Sequence, residues 1–269
     1  MKYDPIKQKL GSVFNTHPLL RKSFYILLDV LLLRTWHIKK QLKKWAVQAP
    51  KDSYIIDAGA GFGQYVYFMS RKFKSWSITG VDVKDEQVAD CNKFFEKIGK
   101  KDTVQYVKHD LTKFVSSKPA DMILCVDVME HILEDRTVFE NFNASLKKGG
   151  FLLISTPSDQ GGSDVHEDED ESFVGEHVRD GYGVNEISEK LYSAGFSKVD
   201  VAYSYGTPGK ISWKLSMKYP ILLVNFSAIM YILLPLYYMC VMPFCIVLNF
   251  IDLHSVHTSG TGLIVKAYK

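Results

Sequence analysis

Ile55-Ile56-Asp57-Ala58-Gly59-Ala60-Gly61-Phe62-Gly63 is an apolar strand that ends in an acid and runs through a Gly-x-Gly-x-Gly turn toward a helix. Glycine lets a backbone turn sharply and come close to a ligand. The spacing differs from the Gly-x-Gly-x-x-Gly turn that seats a dinucleotide's pyrophosphate on a helix N-terminus. An acid at the strand end would repel a phosphate, so a cationic ligand suits this turn better. Alone the signal is weak, because an acid in this position can simply cap the helix that follows.

Outward from this turn, strand and helix signals alternate across residues 51–210. Strands are expected at 53–57, 77–82, 104–109, 121–126, 150–155 and 198–205, with a last one at 262–268. Helical patterns fall at 64–72, 85–98, 138–147 and 185–194. Such alternation means a largely parallel sheet with helices on both faces. The second strand ends in Gly80-Val81-Asp82-Val83, where an acid can accept both hydroxyls of a ribose. The third ends in His109-Asp110-Leu111, where an acid can reach an adenine amino group, and His109 reads as structural. The fourth runs into Cys125-Val126-Asp127-Val128-Met129-Glu130-His131. All of these ends fall on the carboxyl edge, where open α/β sheets bind ligands.

In this order the motifs DAGAGFG, GVDV, HDL, ADMILCVDVMEHI and LKKGGFLLISTP resemble the class I S-adenosylmethionine-dependent methyltransferases. The resemblance is clearest over residues 53–155. It implies a Rossmann-like α/β fold with a seven-stranded, mostly parallel sheet whose last strand is antiparallel. It implies S-adenosyl-L-methionine as cofactor, held by Asp57, Gly59, Ala60, Gly61, Gly63, Asp82, Val83, Asp110, Leu111 and Asp127. The text VMEHI is similar to that of ubiquinone-pathway O-methyltransferases, which link an acid and the following EH to a divalent metal. Asp127 stands here where those enzymes carry a glutamate. On a helical turn Asp127, Glu130 and His131 would share one face. They could hold magnesium or zinc, but capping and helix polarity account for the same residues, and no metal is expected.

Methyl transfer to a hydroxyl needs an aligned nucleophile, exclusion of water and a proton acceptor. The expected catalytic residues are His177, Asp127 and His131. His177 comes first, in Gly175-Glu176-His177-Val178-Arg179-Asp180-Gly181-Tyr182, because a histidine can take a proton near neutral pH. Arg179 and Tyr182 are the expected acceptor-binding residues, although Arg179 could equally pair with Glu176 or Asp180. Residues 158–171 read as a solvated acidic loop, or as a lid hinged at Gly161-Gly162.

Flanking this core, residues 1–50 form a helical segment and residues 211–254 an apolar insert, with 255–269 returning as the final core strand. In the first segment 24–33 is apolar apart from Asp29 and is followed by Arg34, Lys39, Lys40, Lys43 and Lys44. It is too short to span a bilayer and reads as a packed core helix or an interfacial one. No cleavable signal sequence is expected at the start, which carries lysines and no apolar core.

Residues 219–251 hold no charge and contain Pro220, Pro235 and Pro243. The run exceeds one membrane span and falls short of two with a turn. If 262–268 rejoins the same sheet, a single crossing is excluded, leaving a re-entrant hairpin or helices lying in one leaflet. The alternative is an insert buried on the core or in a homodimer. Uninterrupted apolar surface of this extent rarely stays in water. The expected protein is therefore a membrane-associated methyltransferase on the cytoplasmic face that acts on a lipid-like or other small-molecule acceptor, preferably by O-methylation. A soluble enzyme and a non-catalytic membrane scaffold are the rivals. Net charge is only +3, the four cysteines lack CxxC spacing, and no NPPY-type text follows the fourth strand. A disulfide framework, a cysteine zinc site and a nucleic-acid substrate are therefore not expected.

Overall fold

A computed structural model describes residues 17–161, 178–226 and 230–269. Its centre is one seven-stranded sheet in the order β3-β2-β1-β4-β5-β7-β6. The strands are β1 (Tyr54–Ala58), β2 (Ser77–Asp82), β3 (Val104–Lys108), β4 (Ala120–Val126), β5 (Leu146–Pro157), β6 (Lys198–Ser204) and β7 (Gly262–Tyr268). β7 runs antiparallel between β5 and β6, and the remaining pairs are parallel. This is the expected fold class. β1 and β4 are continuous apolar runs because helices cover both of their faces. Every residue of β1 is buried.

Four helices pack on the sheet in the pattern the sequence suggested, preceded by α1 (Pro18–Leu31) and α2 (Leu33–Ala46). They are α3 (Gln64–Lys72), α4 (Asp85–Lys97), α5 (Asp135–Ser145) and α6 (Val184–Ser193). The apolar stretch 24–33 is therefore not one helix. It breaks at Leu32, which is extended (φ −100°, ψ 108°) and separates α1 from α2. One core layer joins Tyr25, Ile38, Leu42, Trp45, Val66, Met69 and Phe95 against one sheet face. The other joins Val138, Phe139, Phe142, Ile187 and Leu191 against the opposite face.

Between β6 and β7 the chain makes a helical hairpin. Its first arm is α7 (Thr207–Trp213), a π-helical stretch (Lys214–Lys218) and α8 (Tyr219–Phe226). Its second arm is α9 (Met230–His254). The root is fixed by Asp252, which accepts from the Gly209 N–H at 3.1 Å and contacts His37 of α2 at 3.0 Å and His257 at 3.2 Å. β6 parallels the central strands, so its C-terminal end and the start of β7 both lie on the carboxyl edge. The hairpin therefore leaves and rejoins the sheet on one side.

Candidate active site

The glycine turn is shaped by backbone demands. Gly59, Gly61 and Gly63 all have positive φ (74°, 48° and 80°). The N–H groups of Gly59 and Ala60 both donate to Val81 O, at 2.8 and 3.0 Å, which presses the turn onto the end of β2. A Cβ on Gly59 would stand 2.2 Å from Val128 Cγ2, and one on Gly63 2.5 Å from the Tyr106 hydroxyl. A Cβ on Gly61 would meet nothing closer than 4.0 Å. Gly61 thus borders open space, as a turn that a ligand passes should.

Asp57, at the end of β1, is 2% exposed, and its Oδ2 has no hydrogen-bond partner among the described residues. Burial first, and then the neighbouring Asp82 charge, push its pKa up to about 8. A buried carboxyl without a partner is costly to ionise unless a cation arrives. Asp82 behaves differently. Its Oδ2 accepts from the Gly61 N–H at 2.9 Å and its Oδ1 from the Lys84 N–H at 3.0 Å. Each carboxylate oxygen retains a second acceptor position. Asp110 accepts from the Thr112 N–H (2.9 Å) and hydroxyl (2.8 Å), which hold its pKa below the usual carboxylate range. Leu111 beside it is buried, and Val83 is exposed.

These residues fit S-adenosylmethionine. An unpartnered buried acid would face the cationic end of such a ligand, an open glycine would let the chain pass, and acids on the next two strands have acceptor capacity to spare.

At the end of β4 Asp127 has φ 52°, a left-handed conformation that costs a non-glycine residue on the order of 1 kcal/mol. Met129–His131 is a single 3-10 turn. Asp127, Glu130 and His131 therefore do not share an α-helical face, and no cluster of metal-ligating side chains occurs among the described residues. The Asp127 carboxylate is instead ion-paired with the guanidinium of Arg34, from α2. Glu130 is buried, accepts from the Thr156 hydroxyl at 3.1 Å and has its pKa raised by burial.

Two basic residues thus enter the site from the N-terminal helices. The Arg34 N–H also donates to the Tyr205 hydroxyl at 2.9 Å, joining α2 to the end of β6. Arg21 of α1 is 3% exposed and donates to Phe62 O at 2.8 Å and Asp90 O at 3.2 Å. Tyr25 adds a hydroxyl bond to the same Phe62 carbonyl. The glycine turn is clamped from above by α1 and from below by β2.

Arg179 and Tyr182 are engaged elsewhere. The Arg179 guanidinium contacts Asp135 at 2.5 Å and donates to Ile132 O at 2.8 Å. The Tyr182 hydroxyl donates to Asp135 at 2.8 Å and lies 3.2 Å from Met129 O. Burial and the Asp135 carboxylate push the Tyr182 phenol well up. Both side chains tie the chain after residue 178 to α5. His177, like the acidic run 164–171, lies outside the described residues.

Residues 55–150 match the family model described as a methyltransferase domain. The chain is 28% identical over 100 residues to a probable (S)-tetrahydroprotoberberine N-methyltransferase from Papaver bracteatum, covering 37% of this chain and 28% of that protein. It is 27% identical over 108 residues to a ubiquinone biosynthesis O-methyltransferase from Actinobacillus pleuropneumoniae, covering 38% of this chain and 44% of that one. The matches thus span less than half the length of these curated relatives. Among solved structures, a phosphoethanolamine N-methyltransferase from Haemonchus contortus in complex with S-adenosyl-L-methionine has a TM-score of 0.53 at 16% identity, covering 81% of this chain and 48% of that chain.

Proposed function

We propose, from the match of residues 55–150 to a methyltransferase domain, that the chain is a class I S-adenosylmethionine-dependent methyltransferase that methylates a hydrophobic, lipid-like acceptor at the cytoplasmic face of a membrane. O-methylation is the favoured chemistry. The observation that carries the acceptor class is the apolar hairpin, rooted on the same carboxyl edge as Asp57 and Asp127.

S-adenosylmethionine supplies an electrophilic methyl group on a sulfonium sulfur. Asp57 would hold the cationic end of the cofactor and become ionised in doing so. Asp82 would accept from the ribose hydroxyls while keeping Gly61 in position. Asp110 would accept from the adenine amino group, with Leu111 packed beside it. Arg34 holds Asp127 in its left-handed conformation and keeps a positive charge beside Glu130. His177 would take the acceptor's proton, and His131 is the second candidate for that role. The Arg179–Asp135–Tyr182 network anchors the segment that follows His177.

The test is incubation of purified protein with radiolabelled S-adenosylmethionine and a total lipid extract, followed by organic partition. Label should enter the organic phase, disappear in Asp57→Ala and fall in His177→Ala. An unlabelled organic phase with cofactor binding intact by calorimetry would overturn the lipid acceptor.

A further inference from the structure

We infer that the outer parts of the two arms, 219–226 and 230–240, enter the hydrocarbon of a single leaflet of an anionic bilayer, which the hairpin does not cross. This deepens the membrane reading proposed above and rests on it. Four observations converge. The first is the connection: both arms join adjacent strands of one soluble sheet, so a net crossing is excluded.

The second is surface. The segment Tyr231–His254 is long and apolar enough to cross a membrane, and little of it is buried. Tyr231, Ile232, Leu233, Leu236 and Met239 are all exposed. At about 100° per residue they spread over roughly 200° of the helix. That is wider than the stripe a helix buries against one neighbour. A second copy would cover only part of it, whereas hydrocarbon covers all of it.

The third is how the backbone is satisfied. Within a leaflet every carbonyl needs an internal donor. Pro220 has no N–H. In the i→i+5 pattern of Lys214–Lys218 its missing N–H would have served Leu215 O, and in the i→i+4 pattern Ser216 O. The hydroxyls of Tyr237 and Tyr238, from the other arm, donate to these two carbonyls at 2.7 and 2.9 Å. Asn249, whose amide has no partner among the described residues, lies toward the root.

The fourth is depth. Tyr238 opposite Ser216 aligns the two arms. From Lys218 to Phe226 and from Tyr238 to Met230 are eight residues each. That is about 12 Å of helix, against about 15 Å for half of a hydrocarbon core. Lys218 closes this stretch on the first arm, with Lys214 and Lys210 one and two turns nearer the root. Nearby α2 adds Lys40, which donates to Leu253 O at 2.5 Å, and exposed Lys43 and Lys44 on its next turn. Cations at this level suit anionic headgroups.

Of the four cysteines, Cys91, Cys125 and Cys245 are buried and Cys240 is exposed on α9. The full-length protein is mixed with vesicles of phosphatidylcholine, or of phosphatidylcholine and phosphatidylglycerol in equal parts, and treated with a water-soluble maleimide. Labelling of Cys240 should slow by about tenfold or more with the anionic vesicles, while Val256→Cys, in the exposed loop after α9, stays reactive. Leu236→Glu with Met239→Glu should lower vesicle binding by about tenfold or more without changing cofactor affinity.

Unprotected Cys240 would overturn the inference. So would labelling of Tyr231→Cys by maleimide sealed inside the vesicles, which means spanning. A stable dimer that protects Cys240 without lipid would also overturn it. A protein that methylates detergent-dispersed lipid but leaves Cys240 reactive would refute leaflet insertion and leave the methyltransferase reading standing.

Discussion

In the role proposed for Asp57, cofactor binding is a proton-linked event whose size can be worked from the site. Its Oδ2 is buried with no hydrogen-bond partner among the described residues, and burial and the Asp82 charge push its pKa up to about 8. At about pH 7 roughly nine-tenths of the ligand-free protein therefore carries a proton there, by the ordinary titration curve. A cationic ligand beside Asp57 favours the charged form, so binding expels that proton. The affinity for S-adenosylmethionine should then rise nearly tenfold per pH unit from about pH 5.5 to about pH 7, below the titration of the ligand's own amine. The assay is calorimetry in buffers of different ionisation enthalpy, which should report close to one proton released at neutral pH.

The sign for stability is opposite. The native state keeps its proton where the unfolded chain, with an ordinary carboxyl near 3.8, has lost it. Stability of the ligand-free protein from this group is thus full at low pH and declines as pH rises toward about 8, with a ceiling on the order of 5 kcal/mol. Asp57→Asn should flatten that decline while abolishing cofactor binding. A dissociation constant that stays level across the window, with no buffer dependence of the heat, would refute the reasoning.

Other outcomes follow from contacts around the turn. Gly59→Ala should destabilise the fold by about 2 kcal/mol or more, because its Cβ would meet Val128 Cγ2 at 2.2 Å and its φ is 74°. Adding Val128→Ala should recover only the clash, as read by denaturant midpoint. Arg21→Met should cost about 2–4 kcal/mol and raise the cofactor dissociation constant, since it strips donors from the Phe62 and Asp90 carbonyls. Tyr182→Phe should cost about 1–3 kcal/mol in thermal unfolding and leave cofactor affinity unchanged; a loss of affinity would mean that the α5 network reaches the cofactor. Asp127→Gly should match or exceed the native protein in stability while slowing methyl transfer, because it relieves the left-handed strain and removes the partner of Arg34.

The sheet was legible because its signals are local. Apolar runs with acids at their ends and glycines in their turns located β2 and β7 to the residue, and the other strands to within a few positions. The positions of Asp57, Asp82 and Asp110 were legible for the same reason, since each stands at or just beyond a strand end. Arg21 and Arg34 were not. They lie on helices that reach the site only through tertiary packing, and the break between those helices falls at Leu32 with no glycine or proline to mark it. The spacing of Asp127, Glu130 and His131 suggested one helical face. That reading failed because Asp127 adopts a left-handed conformation, which no neighbour in sequence demands.

Arg34 also explains how an insert so far from the cofactor motifs in sequence can matter to the site. Its guanidinium pairs with Asp127 at the end of β4, and its N–H binds the Tyr205 hydroxyl just before the hairpin begins. One turn later on the same helix, His37 meets Asp252 in the hairpin root. The root, α2 and the edge of the cofactor site are therefore one connected structure. The loop between β6 and β7 is where such an insert costs the core least, because both its ends lie on the carboxyl edge and neither strand must lengthen or reverse. On the proposed reading, an apolar hairpin at this position would carry the open edge of the sheet toward the surface it enters, as methylation of an acceptor dissolved in that surface requires.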